Sequence, residues 1–291
     1  MSISQAEFAV LADVVRRRSG LELPSGKLAL AQSKLAPVAA RFGFRNVGAM
    51  LVELADEPED MAWAITEAMT VNETAFFRDP ACFGYFRDTI LPALVCARAA
   101  EKRLRIWCAA ASTGQEAYSL AMVLEEAGLA ARGWKIDLFA TDLCSDAIGR
   151  AREGLYTQRE VDRDLPAAYL RRYFTLEADR WRVSECLRRG LRLRRFNLLD
   201  HYGWLGRMDV VFCRNVLIYF DDQTKLETLA RMKKCLVPDG WLILGLTESA
   251  TDFDNVSAPG EAAHGVYAKS GKVIRRQAAT VAGLPRLSYA Q

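Results

Sequence analysis

The sequence has few of the residues that acid–base and metal enzymes commonly use. Only two histidines, His201 and His264, occur among 291 residues, which leaves little material for histidine catalysis or for histidine ligation of a metal. The seven cysteines contain no Cys-x-x-Cys pair, so we expect neither a zinc site nor a disulfide framework. Most of them stand in apolar runs, where cysteine packs as a small hydrophobic residue. The chemistry must therefore use other groups.

The sequence also lacks a strong excess of one charge and a long hydrophobic run. It has 39 Lys+Arg against 36 Asp+Glu, a net charge of 39 − 36 = +3, and 51% of its residues are apolar. Disordered chains and most polyanion-binding proteins have a larger charge imbalance. No run reaches about 18 uncharged apolar residues, and the N-terminus has no basic segment before an apolar one. We expect a cytoplasmic monomer without nucleic-acid binding, membrane insertion or a signal peptide.

The first 70 residues are predicted to form a small helical domain. Apolar residues follow helical spacing in three segments separated by glycine and proline, and Asp60 is expected to cap a fourth helix. The residues of this pattern are Phe8, Leu11, Val14 and Val15, then Leu28, Leu35 and Val38, then Met50, Leu51 and Leu54, and finally Trp63, Ile65 and Met69.

From about residue 103, short apolar runs alternate with helical stretches, which predicts an α/β fold with a doubly wound parallel sheet. The expected strands are 104–110, 136–141, 191–196, 209–214, 241–246 and 266–269, and the expected helices are 115–127, 145–152 and 223–236. Residues 156–189 interrupt this alternation. Two short runs there flank Ala178 and Asp179, which predicts a small antiparallel insert. After Lys269 no periodicity remains, and we expect a mobile tail.

The first expected strand runs into small residues, Ala109–Ser112, and then into the helix that begins after Gly114. Such a turn lets a ligand approach the backbone, which is consistent with a nucleotide site, although neither G-x-G-x-x-G nor a P-loop is present. Asp142 ends the second strand, where a carboxylate commonly binds ribose hydroxyls. The alternative is that Asp142 caps the following helix, a role for which Ser145 and Asp146 compete.

Two further strands end in polar residues. Arg214 and Asn215 follow the run that begins at Asp209, and Asn197 follows the strand before it. The carboxyl ends of parallel strands are where open α/β sheets bind their ligands. Asn197 can instead be an ordinary turn residue.

The connection between the helical and α/β regions has an unusual composition. Residues 69–80 combine the adjacent aromatics Phe76 and Phe77 with polar Asn72, Thr74 and Arg78. A simple linker rarely carries aromatic anchors beside a cation. Arg78 can alternatively pair on the surface with Asp79 or Glu73.

Six segments together resemble the CheR-type chemotaxis receptor methyltransferases. In order they are TVNETAFFRD, AAASTGQEAYSLAM, ATDL, FNLLD, FCRNVLIYFDD and LVPDGWLILGLTES, over about residues 65 to 250. The resemblance implies a Rossmann-like class I methyltransferase domain with a small antiparallel β-subdomain, preceded by an all-α domain. We therefore expect a helical domain over 1–70, a linker over 71–90, the methyltransferase domain over 91–272 with its β-subdomain at about 157–189, and a tail over 273–291.

The resemblance also implies the cofactor, the reaction and the site. The family transfers a methyl group from S-adenosylmethionine to glutamate side chains of receptors, forming methyl esters in chemotaxis adaptation, and no metal is expected. Arg78 and Tyr219 are the pair placed nearest the transferred methyl group. One segment, Gly245–Ser249, departs from Gly-His-Ser-Glu, the form in many relatives, which lowers the weight of any role for it. The cofactor-binding residues implied are Asn72, Thr74, Arg78, Glu116, Asp142, Asn197, Leu198, Arg214 and Asn215.

The residue inventory agrees with this chemistry. A glutamate acceptor has a pKa of about 4.3, so it is already an ionised nucleophile at neutral pH and needs no general base. The enzyme then has mainly to align the reacting atoms. The expected partner is the cytoplasmic helical region of chemoreceptors, and Lys27, Lys34 and Arg41, seven residues apart, are expected to form a basic face toward it. An ordinary solvated face is the alternative, and binding of a receptor tether by the β-subdomain stays open.

Two other functions fit parts of the same pattern. One is a methyltransferase of this fold that acts on another protein or on a small molecule. The other is a signalling module that binds S-adenosylmethionine without turnover, against which the presence of Arg78 and Tyr219 argues. A dehydrogenase is the weakest alternative, because the glycine fingerprint is missing.

Overall fold

The computed structural model describes residues 3–56, 58–250 and 265–269. The predicted tail over 273–291 lies outside these ranges, as do residues 251–264 of the predicted methyltransferase domain. Four N-terminal helices are present as expected: α1 Gln5–Ser19, α2 Leu28–Arg41, α3 Val47–Glu53 and α4 Glu59–Met69.

The ends of α1 follow from its sequence. The Ser4 side chain accepts a hydrogen bond from the Glu7 amide, and the Glu7 carboxylate accepts one from the Ser4 amide, which forms a capping box. Gly20 ends the helix with a φ of 78°, a conformation that glycine adopts without strain. The expectation for α4 was wrong in one detail, because Pro58, not Asp60, is its N-cap residue. Proline has a fixed φ that suits a helix start, so a side-chain cap is not required.

A helical connection leads from the linker to the sheet. It consists of α5 Pro80–Tyr85, a π-helical turn Phe86–Ile90 and α6 Leu91–Ala97. Phe83, Phe86 and Leu94 are buried and belong to the core on one side of the sheet.

The central sheet confirms the predicted α/β arrangement. Its strand order is β6-β2-β1-β7-β8-β9, in which the first five strands are parallel and β9 is antiparallel to β8. All six predicted strands lie in this sheet: β1 Arg103–Ala109, β2 Lys135–Asp142, β6 Leu191–Arg195, β7 Met208–Cys213, β8 Leu236–Leu244 and β9 Val266–Ala268. The predicted helices are α7 Gln115–Glu126, α8 Ser145–Glu153 and α12 Asp222–Cys235.

The sheet separates two hydrophobic cores. One core packs Ile106 and Phe212 of the sheet with Tyr118 of α7 and with the insert. The other packs Trp107 and Val211 with α12 and with the buried faces of the four N-terminal helices. The N-terminal helices therefore pack against one side of the sheet, next to the strand ends.

The insert is larger than the predicted hairpin. The strands β4 Phe174–Glu177 and β5 Arg180–Val183 lie where the hairpin was expected, but β3 Leu155–Thr157 pairs with β5 on its other side. Three short helices accompany them: α9 Gln158–Asp162, α10 Ala167–Tyr173 and α11 Glu185–Gly190. Elements of three to seven residues are too short for a recognisable period, which is why the sequence pattern did not reveal them.

Gly114 allows the close approach of β1, α7 and α8, which gives a test of the fold. It has a φ of 96°, and an added Cβ would lie 2.8 Å from the Ala151 Cβ. We expect Gly114→Ala to reduce the free energy of unfolding by about 2–4 kcal/mol, through backbone strain and overpacking. Urea unfolding would measure it.

The matched control for that change is Gly149→Ala in the middle of α8, where an added Cβ meets nothing within 4 Å. This substitution should increase the free energy of unfolding by about 0.5–1 kcal/mol, because alanine favours helix. Equal effects of the two substitutions would contradict the role of Gly114.

Candidate functional site

A cleft lies where the carboxyl ends of β1, β2, β6 and β7 meet the linker and the end of α1. Its volume is about 810 Å³, including its open mouth. All ten residues that the sequence assigned to the cofactor or the methyl group line this cleft: Asn72, Thr74, Arg78, Glu116, Asp142, Asn197, Leu198, Arg214, Asn215 and Tyr219. The structure therefore brings together residues that are up to 147 positions apart, from Asn72 to Tyr219.

The linker forms one wall because its aromatic residues are anchored in the core. Phe76 and Phe77 are buried, and the Phe76 ring packs edge-on against Tyr156 and Phe174 of the insert. The Phe77 amide donates to the Ser119 hydroxyl of α7. Because the aromatic residues are anchored, the polar residues of the linker are held in position along the cleft.

Arg78 faces the cleft with few partners. It is half-buried, and its Nη1 donates a 3.4 Å hydrogen bond to the backbone carbonyl of Glu73. The alternative of a surface pair with Asp79 is wrong, because the Asp79 carboxylate bonds Arg214 instead. The Arg78 guanidinium is thus held in the cleft with donors to spare for an anionic group.

Asp142 links the first two strand ends. Its carboxylate accepts hydrogen bonds from the backbone amides of Ser112 and Cys144, at 2.7 and 2.9 Å. The N-cap residue of α8 is Cys144, which makes no side-chain capping bond, and the Ser145 amide donates to the Glu67 carboxylate. Burial raises the pKa of Asp142 despite these bonds. The carboxylate is the expected acceptor for ribose hydroxyls at this strand end.

The floor of the cleft contains a buried ionic group. The Arg214 side chain is 1% exposed, and its two terminal nitrogens lie 2.6 Å from carboxylate oxygens of Glu116 and Asp79. These charge-assisted bonds connect β7, the start of α7 and the linker. The Arg214 Nε has no hydrogen-bond partner, so the network retains a donor.

Asn197 has the turn role that the sequence offered as an alternative, and it also contacts the N-terminal helices. Its side-chain oxygen accepts from the Leu199 amide, as in a turn, and its side-chain nitrogen donates to the Arg18 carbonyl at the end of α1. The residue therefore shapes the strand end and ties it to the N-terminal helices. Leu198 is buried beside it.

Sequence reasoning missed Glu248, which lies in the segment that it set aside. The Glu248 carboxylate is buried and accepts hydrogen bonds of 2.7–2.9 Å from four backbone amides. One is that of Gly245, and the other three are those of Asn215, Val216 and Leu217. The only sign of this role in the sequence was a glutamate three residues after the glycine that follows the strand. The sequence does not show that this carboxylate bonds to amides 31 to 33 residues away.

Glu248 thereby fixes the loop that carries Asn215 and Tyr219. Asn215 has a φ of 58°, an unfavourable conformation that the anchored loop maintains. Tyr219 is half-buried, and its backbone carbonyl accepts from the Glu22 amide at 2.7 Å. Burial raises the pKa of the Tyr219 hydroxyl, so this group is a protonated donor at neutral pH.

The three basic residues expected to face a partner lie outside the cleft. Lys27 and Arg41 are exposed at the two ends of α2. Lys34 differs, because its ammonium group donates to the Thr70 carbonyl, and burial lowers its pKa. Lys34 therefore supports the wall of the cleft rather than forming a free surface charge.

The described residues contain no group of three or more histidine, cysteine, aspartate or glutamate side chains that could hold a metal ion. None of their helices is long and apolar enough to cross a membrane. All seven cysteines are described, and all are free thiols.

The importance of Glu248 can be tested by Glu248→Gln. An amide offers one acceptor oxygen and adds donors that face backbone amides, so we expect the free energy of unfolding to fall by about 2–4 kcal/mol. Affinity for S-adenosylhomocysteine, measured by calorimetry, should also fall because the loop carries Asn215. Glu227→Gln, on the exposed side of α12, is the control. Wild-type stability and affinity in Glu248→Gln would contradict the anchoring role.

Comparison with known proteins agrees with this geometry. The family model for the CheR methyltransferase, SAM binding domain, matches residues 72–264. Chemotaxis protein methyltransferase 1 of Pseudomonas aeruginosa is 36% identical over 257 residues, which cover 87% of this chain and 93% of that protein. The chemotaxis protein methyltransferase of Escherichia coli is 33% identical over 261 residues, which cover 87% of this chain and 88% of that protein.

Solved structures give only a remote likeness. A glycopeptide N-methyltransferase complexed with S-adenosylhomocysteine matches 71% of this chain and 63% of its own, with a TM-score of 0.33 and 14% identity, and no inference rests on it. The family match and the two relatives are sufficient to assign the family of this chain. The chain belongs to the CheR methyltransferase family, and it is an S-adenosylmethionine-dependent methyltransferase.

Proposed function

We propose that this protein transfers the methyl group of S-adenosylmethionine to glutamate side chains of chemotaxis receptors, forming glutamate methyl esters. The observation that carries the proposal is the convergence, on one cleft at the strand ends, of the ten residues that the family resemblance implied. The names of the relatives, chemotaxis protein methyltransferases, support the choice of receptors as substrates.

The residues of the cleft fit S-adenosylmethionine. Asp142 would bind the ribose hydroxyls, and the Arg78 guanidinium, with its spare donors, would bind a carboxylate. Among the described residues, the charged groups that line the cleft are three carboxylates and two guanidiniums, so their formal sum is −1: Glu73, Glu116, Asp142, Arg78 and Arg214. A site with a negative sum favours a ligand that carries the positive sulfonium group.

The acceptor needs little help from the protein. When bound, the cofactor supplies a methyl group that its sulfonium makes reactive toward nucleophiles. A glutamate side chain is ionised at neutral pH and is itself the nucleophile. No base has to remove a proton, which agrees with the described lining of the cleft, in which no histidine occurs. The contribution of the protein is to bring the two reactants together in line and to exclude competing water.

Arg78 and Tyr219 are the residues proposed to act on the reacting groups. Both line the cleft, and the charge of Arg78 is close enough to influence the pKa of Tyr219. The Tyr219 hydroxyl stays protonated and can donate a hydrogen bond, while Arg78 supplies a planar fork suited to a carboxylate. Together they would orient the acceptor or the cofactor carboxylate without transferring a proton.

The N-terminal helices are proposed to contact the receptor. Lys27 and Arg41 remain exposed at the two ends of α2, and both carry charge opposite to that of an acidic helical substrate. The position of these helices beside the cleft would place a bound receptor helix near the methyl group.

Incubation with tritiated S-adenosylmethionine and receptor-containing membranes tests the proposed reaction. We expect radioactive methyl groups on receptor protein, released as methanol by mild base, because methyl esters hydrolyse readily. Heat-inactivated protein is the control. A base-stable product would indicate transfer to nitrogen or sulfur, and binding of S-adenosylhomocysteine without any transfer would indicate a non-catalytic module. Either result would overturn glutamate methylation.

The substitution Tyr219→Phe tests the role of the hydroxyl. It removes one oxygen and leaves the ring, so we expect kcat to fall by roughly tenfold to a hundredfold through loss of alignment. Affinity for S-adenosylhomocysteine should change by less than about threefold. Stopped-time methylation assays and calorimetry measure the two quantities. Unchanged kcat would remove Tyr219 from the mechanism.

A further inference from the structure

Over β1, β2 and β6, part of one face of the central sheet lacks the helix that would normally cover it. In parallel α/β sheets, the helices of the crossover connections cover both faces. The connection from β6 to β7, residues 196–207, contains only the 3-10 turn Gly203–Leu205. The side chains of Arg103 and Arg192 on this face are 46% and 55% exposed. Solvent therefore reaches the amino-terminal ends of β1 and β6 on this face, while Asp137 of β2 lies buried between them.

Charged residues occupy this open area in a regular pattern. In-register pairs place Arg103 beside Lys135 and Arg105 beside Asp137, and the pairing of Phe139 with Arg192 continues the same face onto β6. Because side chains alternate between faces along a strand, Arg194 also belongs to it. We call this surface the cationic face. Its formal charge is 5 − 1 = +4, against +3 for the whole chain.

A buried carboxylate fixes part of the cationic face. Asp137 is completely buried, and its two oxygens lie within ion-pair distance of Arg103 and of Arg192, the latter at 2.6 Å. The two guanidiniums thus approach one carboxylate from the neighbouring strands on each side. Neither Lys135 nor Arg194 lies within 4 Å of a carboxylate in the described part of the chain.

Aromatic rings contact three of the guanidiniums. The Phe139 ring lies between Arg105 and Arg192, with guanidinium carbons 5.5 and 5.3 Å from its centre, and Arg194 stacks 4.2 Å above the Trp204 ring. Arg105 uses its terminal nitrogens to donate to the backbone carbonyls of Leu205 and Arg207. A guanidinium that stacks on a ring without such bonds, as Arg194 does, keeps its N–H edge available for a partner. Side chains that are already ordered lose less entropy when they bind.

We propose that the cationic face binds a carboxylate-rich segment of a protein partner, at a site distinct from the methyl-transfer cleft. Its planar donors match carboxylates, and three strands about 4.8 Å apart make it only about 10 Å wide. This width suits a few acidic side chains, whereas even small nucleic-acid-binding modules bury roughly 600 Å² or more of protein surface. Along β2, Asp142 lies five residues beyond Asp137, about 17 Å away, so both sites can be occupied together.

The test measures binding of a fluorescein-labelled polyglutamate peptide by polarisation, with the full chain. We expect binding that weakens as salt rises, and a loss of affinity of roughly tenfold or more in the double variant Arg192→Ala, Arg194→Ala. The matched control is Arg163→Ala, Arg189→Ala, which removes two exposed arginines of the insert, 63% and 78% exposed. The control should keep wild-type affinity.

Two checks keep the result specific. Calorimetry with S-adenosylhomocysteine should give the same affinity for both double variants and the wild type, which would confirm folding. A single-stranded oligonucleotide and phosphatidylserine vesicles are the competing probes. Equal loss in the control variant, no loss in the cationic-face variant, or tighter binding of either competing probe would overturn the proposal. No turnover is measured, so this outcome is independent of the methyl-transfer assay.

Discussion

The buried Arg214 network is the interaction on which the cofactor cleft depends. Removing a guanidinium and two carboxylates from water is costly unless they satisfy one another, and here Arg214 is paired on both sides at 2.6 Å. Its partners come from the linker and from the first turn of α7, so β7, α7 and the linker must assemble together. Arg214 is fixed at the end of β7, Asp79 then holds the linker, and the linker in turn positions Arg78. Loss of one partner would leave an uncompensated charge in the floor of the site.

Much of the site could be predicted from the sequence because its residues follow from a simple geometric rule. Parallel strands end at one edge of the sheet, so Asp142, Asn197 and Arg214, each at the end of a predicted strand, had to converge. Glu248 could not be predicted in this way. Its role is to accept hydrogen bonds from backbone amides, and a sequence does not show which backbone amides a carboxylate will bind. The short strand β3 was missed because three residues carry no measurable period.

The cationic face was also hidden in the sequence, although its pattern was present. The alternation in Arg103–Trp107 and Lys135–Phe139 is typical of a sheet with one face in water, whereas a doubly wound sheet leads one to expect helices on both faces. The structure decides between the two expectations. The connection after β6 contains a single 3-10 turn, so no helix of that connection covers this part of the sheet. Charge counts over the whole chain conceal the feature, because acidic residues elsewhere balance it.

The packing of the N-terminal helices has a consequence for how the chain unfolds. Their buried side chains belong to the same core as Trp107 and Val211 of the sheet, and Arg18 and Glu22 bond directly to the strand ends through Asn197 and Tyr219. Two regions that look like separate domains in the sequence therefore share one set of stabilising contacts. Heat or urea should melt them in a single cooperative transition, and a fragment that begins at the linker would expose the apolar surface that these helices cover.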